Sequence, residues 1–274
     1  MSPEQLTLII WLFAAVILLS IVVVCIAVVI RKRTLRAYFE GPGSPSARVS
    51  TDPWERFGPA LAAVYARPEW VHTRESKRKH SPEQTYFGYG SVLPFATLRK
   101  VLSTDWHVNR ADQAKVQVRN TVGIAARSAA QYAAARGETE LTLRARLVAD
   151  GAPEQAAEFI ASHIAEGLET PDEGVELLPD LAFDIARFAN LVRWAGCVGY
   201  LDYLAVREAS DVLATAALTG FSSWNEFGEA YIEGLHGYTK HGRRPFLDAI
   251  EWLTTSSESP WKALAWPLAG GTKA

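Results

Sequence analysis

Two cysteines in 274 residues leave no disulfide framework and no cysteine-based metal site. Cys25 falls in an apolar run and Cys197 in an expected helix, a usage that agrees with a reducing compartment. The chain has no Gly-rich phosphate loop, no nucleophile elbow and no Cys/His arrangement for nucleophilic catalysis. No cofactor motif is present either. Alternating strand patterns and short-period repeats are also missing, which excludes the sheet-based classes. The first five residues, Met1-Ser2-Pro3-Glu4-Gln5, contain no Lys or Arg. A cleavable signal peptide needs a basic start, a shorter apolar stretch and a small-residue cleavage site, so a membrane-spanning helix is the expected reading instead.

What the N-terminus does have is an unbroken apolar run. Leu6 to Ile30 contains no charged residue, and Thr7 and Ser20 are its only clearly polar side chains. Such a helix would span ~37 Å at ~1.5 Å per residue, enough to cross a hydrocarbon core of ~30 Å. Arg31, Lys32, Arg33 and Arg36 follow at once, with no positive residue on the amino side. The expectation is a single transmembrane helix over 6–30, with residues 1–5 outside a bacterial cell membrane and the remaining chain cytoplasmic. Trp11, Tyr38 and Phe39 stand where interfacial aromatics would.

The net charge of −2 hides an asymmetry. Residues 31–136 carry 18 Lys/Arg against 8 Asp/Glu, whereas residues 137–180 carry 2 against 11. A basic section beside the membrane suits an anionic leaflet, and Arg31, Lys32, Arg33 and Arg36 are candidate lipid contacts. The same charge could meet nucleic acid, but no recognition motif accompanies it, so no nucleic-acid partner is expected.

Residues 31–52 read as a basic juxtamembrane segment and a linker, with Gly41-Pro42-Gly43-Ser44-Pro45-Ser46 too rich in turn formers to continue a helix. From 53 to 274 the pattern is helical. Asp52 and Pro53 predict a helix start, and Trp54, Phe57, Leu61, Val64 and Tyr65 mark one face of a helix ending near Pro68. Residues 72–92 read as a loop containing Arg74, Lys77, Arg78 and Lys79. Further helices are expected from Phe95 to the Asp105-Trp106 step, from an Asn109 cap to about Arg136, over 138–149 and over 153–167. Leu181 to Cys197, Asp202 to Leu218, Ser223 to His236 and Arg244 to Thr254 complete an all-α, bundle-like domain. Ser259-Pro260-Trp261 predicts a short capped turn whose Trp261 and Trp266 seal the bundle.

Two clusters could carry chemistry. Asp184, Arg187, Asn190 and Arg193 recur at every third residue of an otherwise apolar helix and form a slanting ridge, with Ile185, Phe188 and Val192 opposite. Buried, these charges must be paired, and the ridge then acts as an internal polar network. Open, it becomes a binding or catalytic site. The second cluster starts at Ser223, which with Glu226 has capping-box spacing. Glu226, Glu229 and Glu233 share a helical face, and Glu233 with His236 makes one Glu-x-x-His pair. A carboxylate-bridged di-metal bundle needs two such pairs, so no metal site is expected.

Asp184-x-x-Arg187-x-x-Asn190-Leu191-x-Arg193, Gly199-Tyr200-Leu201 and Ser223-Trp224-x-Glu226-Phe227-Gly228-x-x-Tyr231-x-x-Gly234 together resemble a bacterial family known as domain of unknown function 1266. Trp106 and Ser259-Pro260-Trp261 fit the ends of that pattern, and the likeness covers roughly residues 94–267. The resemblance implies a helical domain of bacterial origin and supplies no activity, cofactor or partner.

Two functional expectations follow. The primary one is a membrane-anchored interaction or regulatory module rather than an enzyme. The other is an enzyme or small-anion binder built on Asp184, Arg187, Asn190, Arg193, Tyr200, Trp224, Glu226 and Tyr231. There Arg187 or Arg193 would hold the anion, and Asp184 or Glu226 would handle a proton.

Overall fold

The computed structural model describes residues 17, 20–27, 49–72, 82–165, 177–239 and 241–266. The chain divides into two units, Met1–Gly41 and Pro42–Ala274. In the first, residues 20–27 are helical, and Ile17, Ile21, Val22, Val23, Val24 and Ile26 are 44–60% exposed. No helix among the described residues is long and apolar enough to cross a membrane. The expected span over 6–30 lies largely outside them, as do Arg31, Lys32, Arg33 and Arg36 and the loop positions Arg74, Lys77, Arg78 and Lys79.

The second unit has the expected all-α class. No strand occurs among the described residues, and one isolated antiparallel bridge joins Val49 to Gly88. Helix α1 runs Pro53–Leu61, with Pro53 at its start and the Asp52 carboxylate accepting from the Trp54 N–H at 2.9 Å. The expected single helix ending near Pro68 is instead two. Pro59 cannot donate within the ladder, and the chain breaks at Ala62, whose N–H turns back to the Pro59 carbonyl at 3.0 Å. Helix α2 then runs Ala63–His72 straight through Pro68. Glu69, the next residue, is held by three hydrogen bonds described below, and those contacts offset the rung that the proline removes.

Helix α3, Pro82–Tyr86, interrupts the stretch expected as loop. Helix α4, Phe95–Trp106, ends as His107 turns left-handed (φ 55°) and the Val108 N–H closes on the Leu102 carbonyl at 2.8 Å. Helix α5, Ala111–Ala135, lacks the expected Asn109 cap. There the Gln113 side chain reaches back and accepts from the Asn109 N–H at 2.8 Å. Helix α6, Glu140–Ala149, opens on a Thr139/Thr142 capping box, and α7 spans Glu154–Ala161.

Helix α8, Leu177–Cys197, starts four residues before the expected Leu181. It is the centre of the unit and packs against α1, α2, α4 and α5 and against the two helices that follow it. Those are α9, Tyr203–Gly220, capped by Asp202, and α10, Trp224–Tyr238, capped by Ser223. Burial of Leu181, Ile185, Phe188, Leu191, Val192 and Ala195 covers most of α8 and leaves Asp180, Asp184 and Arg187 at the surface. Gly199 (φ 75°) ends it and lets the Tyr200 N–H return to the Ala195 carbonyl at 2.9 Å.

Helices α11, Arg244–Thr255, and α12, Pro260–Ala263, close the unit. As expected, the tail tryptophans seal it. Trp261 Nε1 donates to the Ala60 carbonyl at 2.9 Å and Trp266 Nε1 to that of Phe221 at 3.1 Å, while Trp224 stacks on Trp261 with ring centroids 5.0 Å apart. Gly58 fixes how closely α1 approaches α9, because a Cβ there would sit 2.7 Å from the Ser210 Cβ.

Candidate functional site

The polar ridge on α8 separates into an inner and an outer half. Arg193, at the inner end, is fully buried. Its Nε and Nη2 donate to Asn190 Oδ1 at 3.1 and 2.7 Å, and its Nη1 donates to the Gly90 carbonyl at 2.8 Å. Nη2 also pairs with Glu69 Oε1, across the α2–α8 contact. Glu69 is itself buried and accepts from Trp194 Nε1 at 2.8 Å and Ser91 Oγ at 2.7 Å. The charge is therefore compensated on every side, as a buried ion pair requires. Next to it the Cys197 thiol donates to the Tyr89 carbonyl at 2.6 Å, and burial pushes its pKa up to about 12. This half is a clamp that ties α2 and the turn at 89–91 to α8.

The outer half sits at the surface. Arg187 Nη2 donates to Asp184 Oδ1 at 3.1 Å, with the two side chains 29% and 28% exposed. Four aromatic rings surround the guanidinium, Trp106, Phe183, Phe188 and Tyr238, with centroids 5.2–5.4 Å from Cζ. Desolvation raises the Asp184 pKa, against the lowering effect of Arg187, and Asp180 adds to the rise. Among the described residues neither Arg187 Nε, which is buried, nor the hydroxyl of fully buried Tyr231 has a hydrogen-bond partner. Tyr65 faces Tyr231 edge-on with ring centroids 6.3 Å apart, and the two phenols interact electrostatically. Burial pushes the Tyr65 phenol up to about 12 and raises that of Tyr231 further.

The other expected site residues do not join the ridge, apart from Tyr231. Tyr200 donates to the Asn109 carbonyl at 2.7 Å, where it holds the α4–α5 turn against the end of α8. Trp224 is a core residue, its Nε1 given to the Leu264 carbonyl at 2.8 Å. Ser223 Oγ accepts from the Glu226 N–H at 3.1 Å, as a capping box requires. The return bond is displaced by one residue: Glu226 Oε2 takes the N–H and hydroxyl of Ser222, at 2.7 and 2.6 Å, instead of the Ser223 N–H. Glu226 borders a cleft of about 230 Å³ with Arg136 and Arg146. Arg146 is already engaged there by Glu138, at 2.9 Å. Among the described residues no group of three or more His, Cys, Asp or Glu is arranged to hold a metal ion.

The expected four-residue constellation is thus two pairs with different roles, and only the Asp184–Arg187 pair meets solvent. Glu69, Ser91, Trp194 and Tyr65 complete these sites and were not expected there. The sole signal for Glu69 is indirect, since an Arg on a helix apolar all round needs a carboxylate from somewhere. Nothing local says that it comes from 124 residues earlier.

No curated protein and no solved structure matches the chain. The family described as "Protein of unknown function (DUF1266)" matches residues 92–266, from the end of the clamp's Gly90–Ser91 turn to the Trp266 seal. That segment contains α4 to α12 and both halves of the ridge, and the chain belongs to this family.

Proposed function

We propose that this protein is anchored in a bacterial cell membrane by one helix over 6–30, and that its cytoplasmic helical domain is an interaction or regulatory module. The observation that carries the reading is the helical stretch 20–27, in which Ile21, Val22, Val23, Val24 and Ile26 are all at least 44% exposed. A helix apolar on every side needs an apolar surrounding, and this one continues an uncharged run long enough to span a bilayer. Arg31, Lys32, Arg33 and Arg36 then orient it and meet anionic headgroups, each contributing ~1 kcal/mol.

The module reading draws support from how the domain uses its polar residues. Arg193, Asn190, Glu69 and Glu226 hold helices in register or cap one. The test is cross-linking in native membranes, purification of the full chain and identification of what is attached. One protein recovered in near-stoichiometric amount, through residues of 53–266, is the expected result. A chain that purifies alone and turns over a small molecule contradicts it.

A further inference from the structure

We infer that Arg187, Tyr231 and Tyr65 form a binding site for a monovalent carboxylate carried on an apolar or aromatic body. It rests on side-chain geometry and on the charge balance at the pair, not on the tethered-module reading.

Two arginines on one helix differ in their partners. Arg193, six residues after Arg187, has acceptors around the whole guanidinium. Among the described residues Arg187 has one, Asp184, which takes a single N–H of Nη2. Its Nε is buried and unpaired, and an unpaired buried donor is costly and uncommon. That atom alone would not single out the site, because Arg56 and Arg99 also leave Nε unpaired. What distinguishes Arg187 is a second orphan beside it, the hydroxyl of Tyr231, on a residue with no exposed surface. Both groups border the same ring: Phe183 lies 5.4 Å from the Arg187 Cζ and 5.7 Å from the Tyr231 ring. Two unpaired donors that border one ring call for an oxygen acceptor.

The surroundings choose the class of acceptor. Four rings around the guanidinium favour a ligand with an apolar or aromatic body. Planar Nε–H and Nη2–H donors match a carboxylate edge to edge. Asp184 already balances Arg187, so a dianion such as phosphate would bring more charge than the site neutralises. A monoanion can be accommodated when Asp184 takes a proton, and burial already favours its neutral form. Among the described residues the other groups facing the pair are Asp180 on α8 and the phenols of Tyr65, Tyr231 and Tyr238. Of the four rings around the guanidinium, Tyr238 is the most exposed, at 66%. The cleft on the Trp106 side carries Asp105 and Asp112, which would repel an anion.

The experiment is calorimetric titration of the full chain in nanodiscs with benzoate, with an acetylated peptide ending in a free Phe carboxylate, and with inorganic phosphate and benzylamine. Benzoate or the peptide should bind saturably, more tightly at pH 5.5 than at pH 7.5, and benzylamine should not bind. Arg187→Lys, which keeps the charge and loses the fork, should weaken binding at least tenfold, and Tyr231→Phe several-fold. Tighter binding of the peptide points to a carboxylate on a protein partner, and tighter binding of benzoate to a free acid. Absence of saturable binding by either overturns the inference. So does binding left unchanged by Arg187→Lys and Tyr231→Phe, or phosphate binding more tightly than both carboxylates.

Discussion

Replacing Glu69 by Leu removes the carboxylate that pairs with Arg193 and strands the donors of Ser91 and Trp194. A guanidinium this deeply buried cannot recover its lost partner from water. Breaking such a pair from one side costs ~3–5 kcal/mol, a large part of the ~5–15 kcal/mol that holds a typical domain together. For a domain of about 220 residues, ~4 kcal/mol corresponds to a fall in Tm of about 8–16 °C. Arg193→Met should be similarly damaging, because it leaves the Glu69 carboxylate buried. The double variant should cost far less than the two singles together, since apolar groups of similar volume can replace a buried ion pair at little cost. The same experiment on Asp184→Ala should lose only ~0.2–1 kcal/mol, because that pair is more than a quarter exposed and screened. Urea melts of the four variants beside the native chain supply the cycle. Additive effects, or a Glu69→Leu chain within ~1 kcal/mol of native, would refute the clamp.

Three further outcomes follow from the packing and the ionisable groups. Gly58→Ala should destabilise by ~1–3 kcal/mol in the same melts, because its methyl would meet the Ser210 Cβ at 2.7 Å; an unchanged midpoint would mean that α1 and α9 slide apart freely. Asp211, which accepts from Trp54 Nε1 at 2.8 Å, has its pKa raised by burial, with Trp54 and Arg207 lowering it and Glu55 and Asp52 raising it. Its contribution is therefore present below the ordinary 3.8 and lost as pH rises through the raised value, so Asp211→Asn should melt at or above the native chain at pH 7, with the gap closing towards pH 4. Cys197, whose thiol stands at about 12, should resist iodoacetamide at pH 8 until the domain unfolds; rapid labelling in the native state would contradict its burial.

The fold was legible wherever a local rule decided the outcome. Asp52, Asp202, Ser223 and Ser259 cap helices by hydrogen bonds that each closes within three residues. Prolines were harder to read, because tertiary contacts can override them. Pro59 comes shortly before a break, whereas Pro68 lies inside a helix held by Glu69. The site was half legible. The three-residue spacing correctly brings Asp184 to Arg187 and Asn190 to Arg193. It could not show that the first pair faces solvent and the second faces Glu69. That choice depends on which neighbour covers each turn of α8, a property of the assembled bundle. Glu69 and Gly90, which complete the clamp, lie outside the matched 92–266.

The central claim, a helical domain tethered to a membrane by the first thirty residues, is tested most directly by fractionation. Membranes carrying the full chain are washed at alkaline pH and compared with cells making residues 51–274. The full chain should stay in the washed membrane pellet, and the shorter chain should appear in the soluble fraction with a cooperative helical melt. Release of the full chain by the wash, or retention of the shorter one in the pellet, would contradict the account.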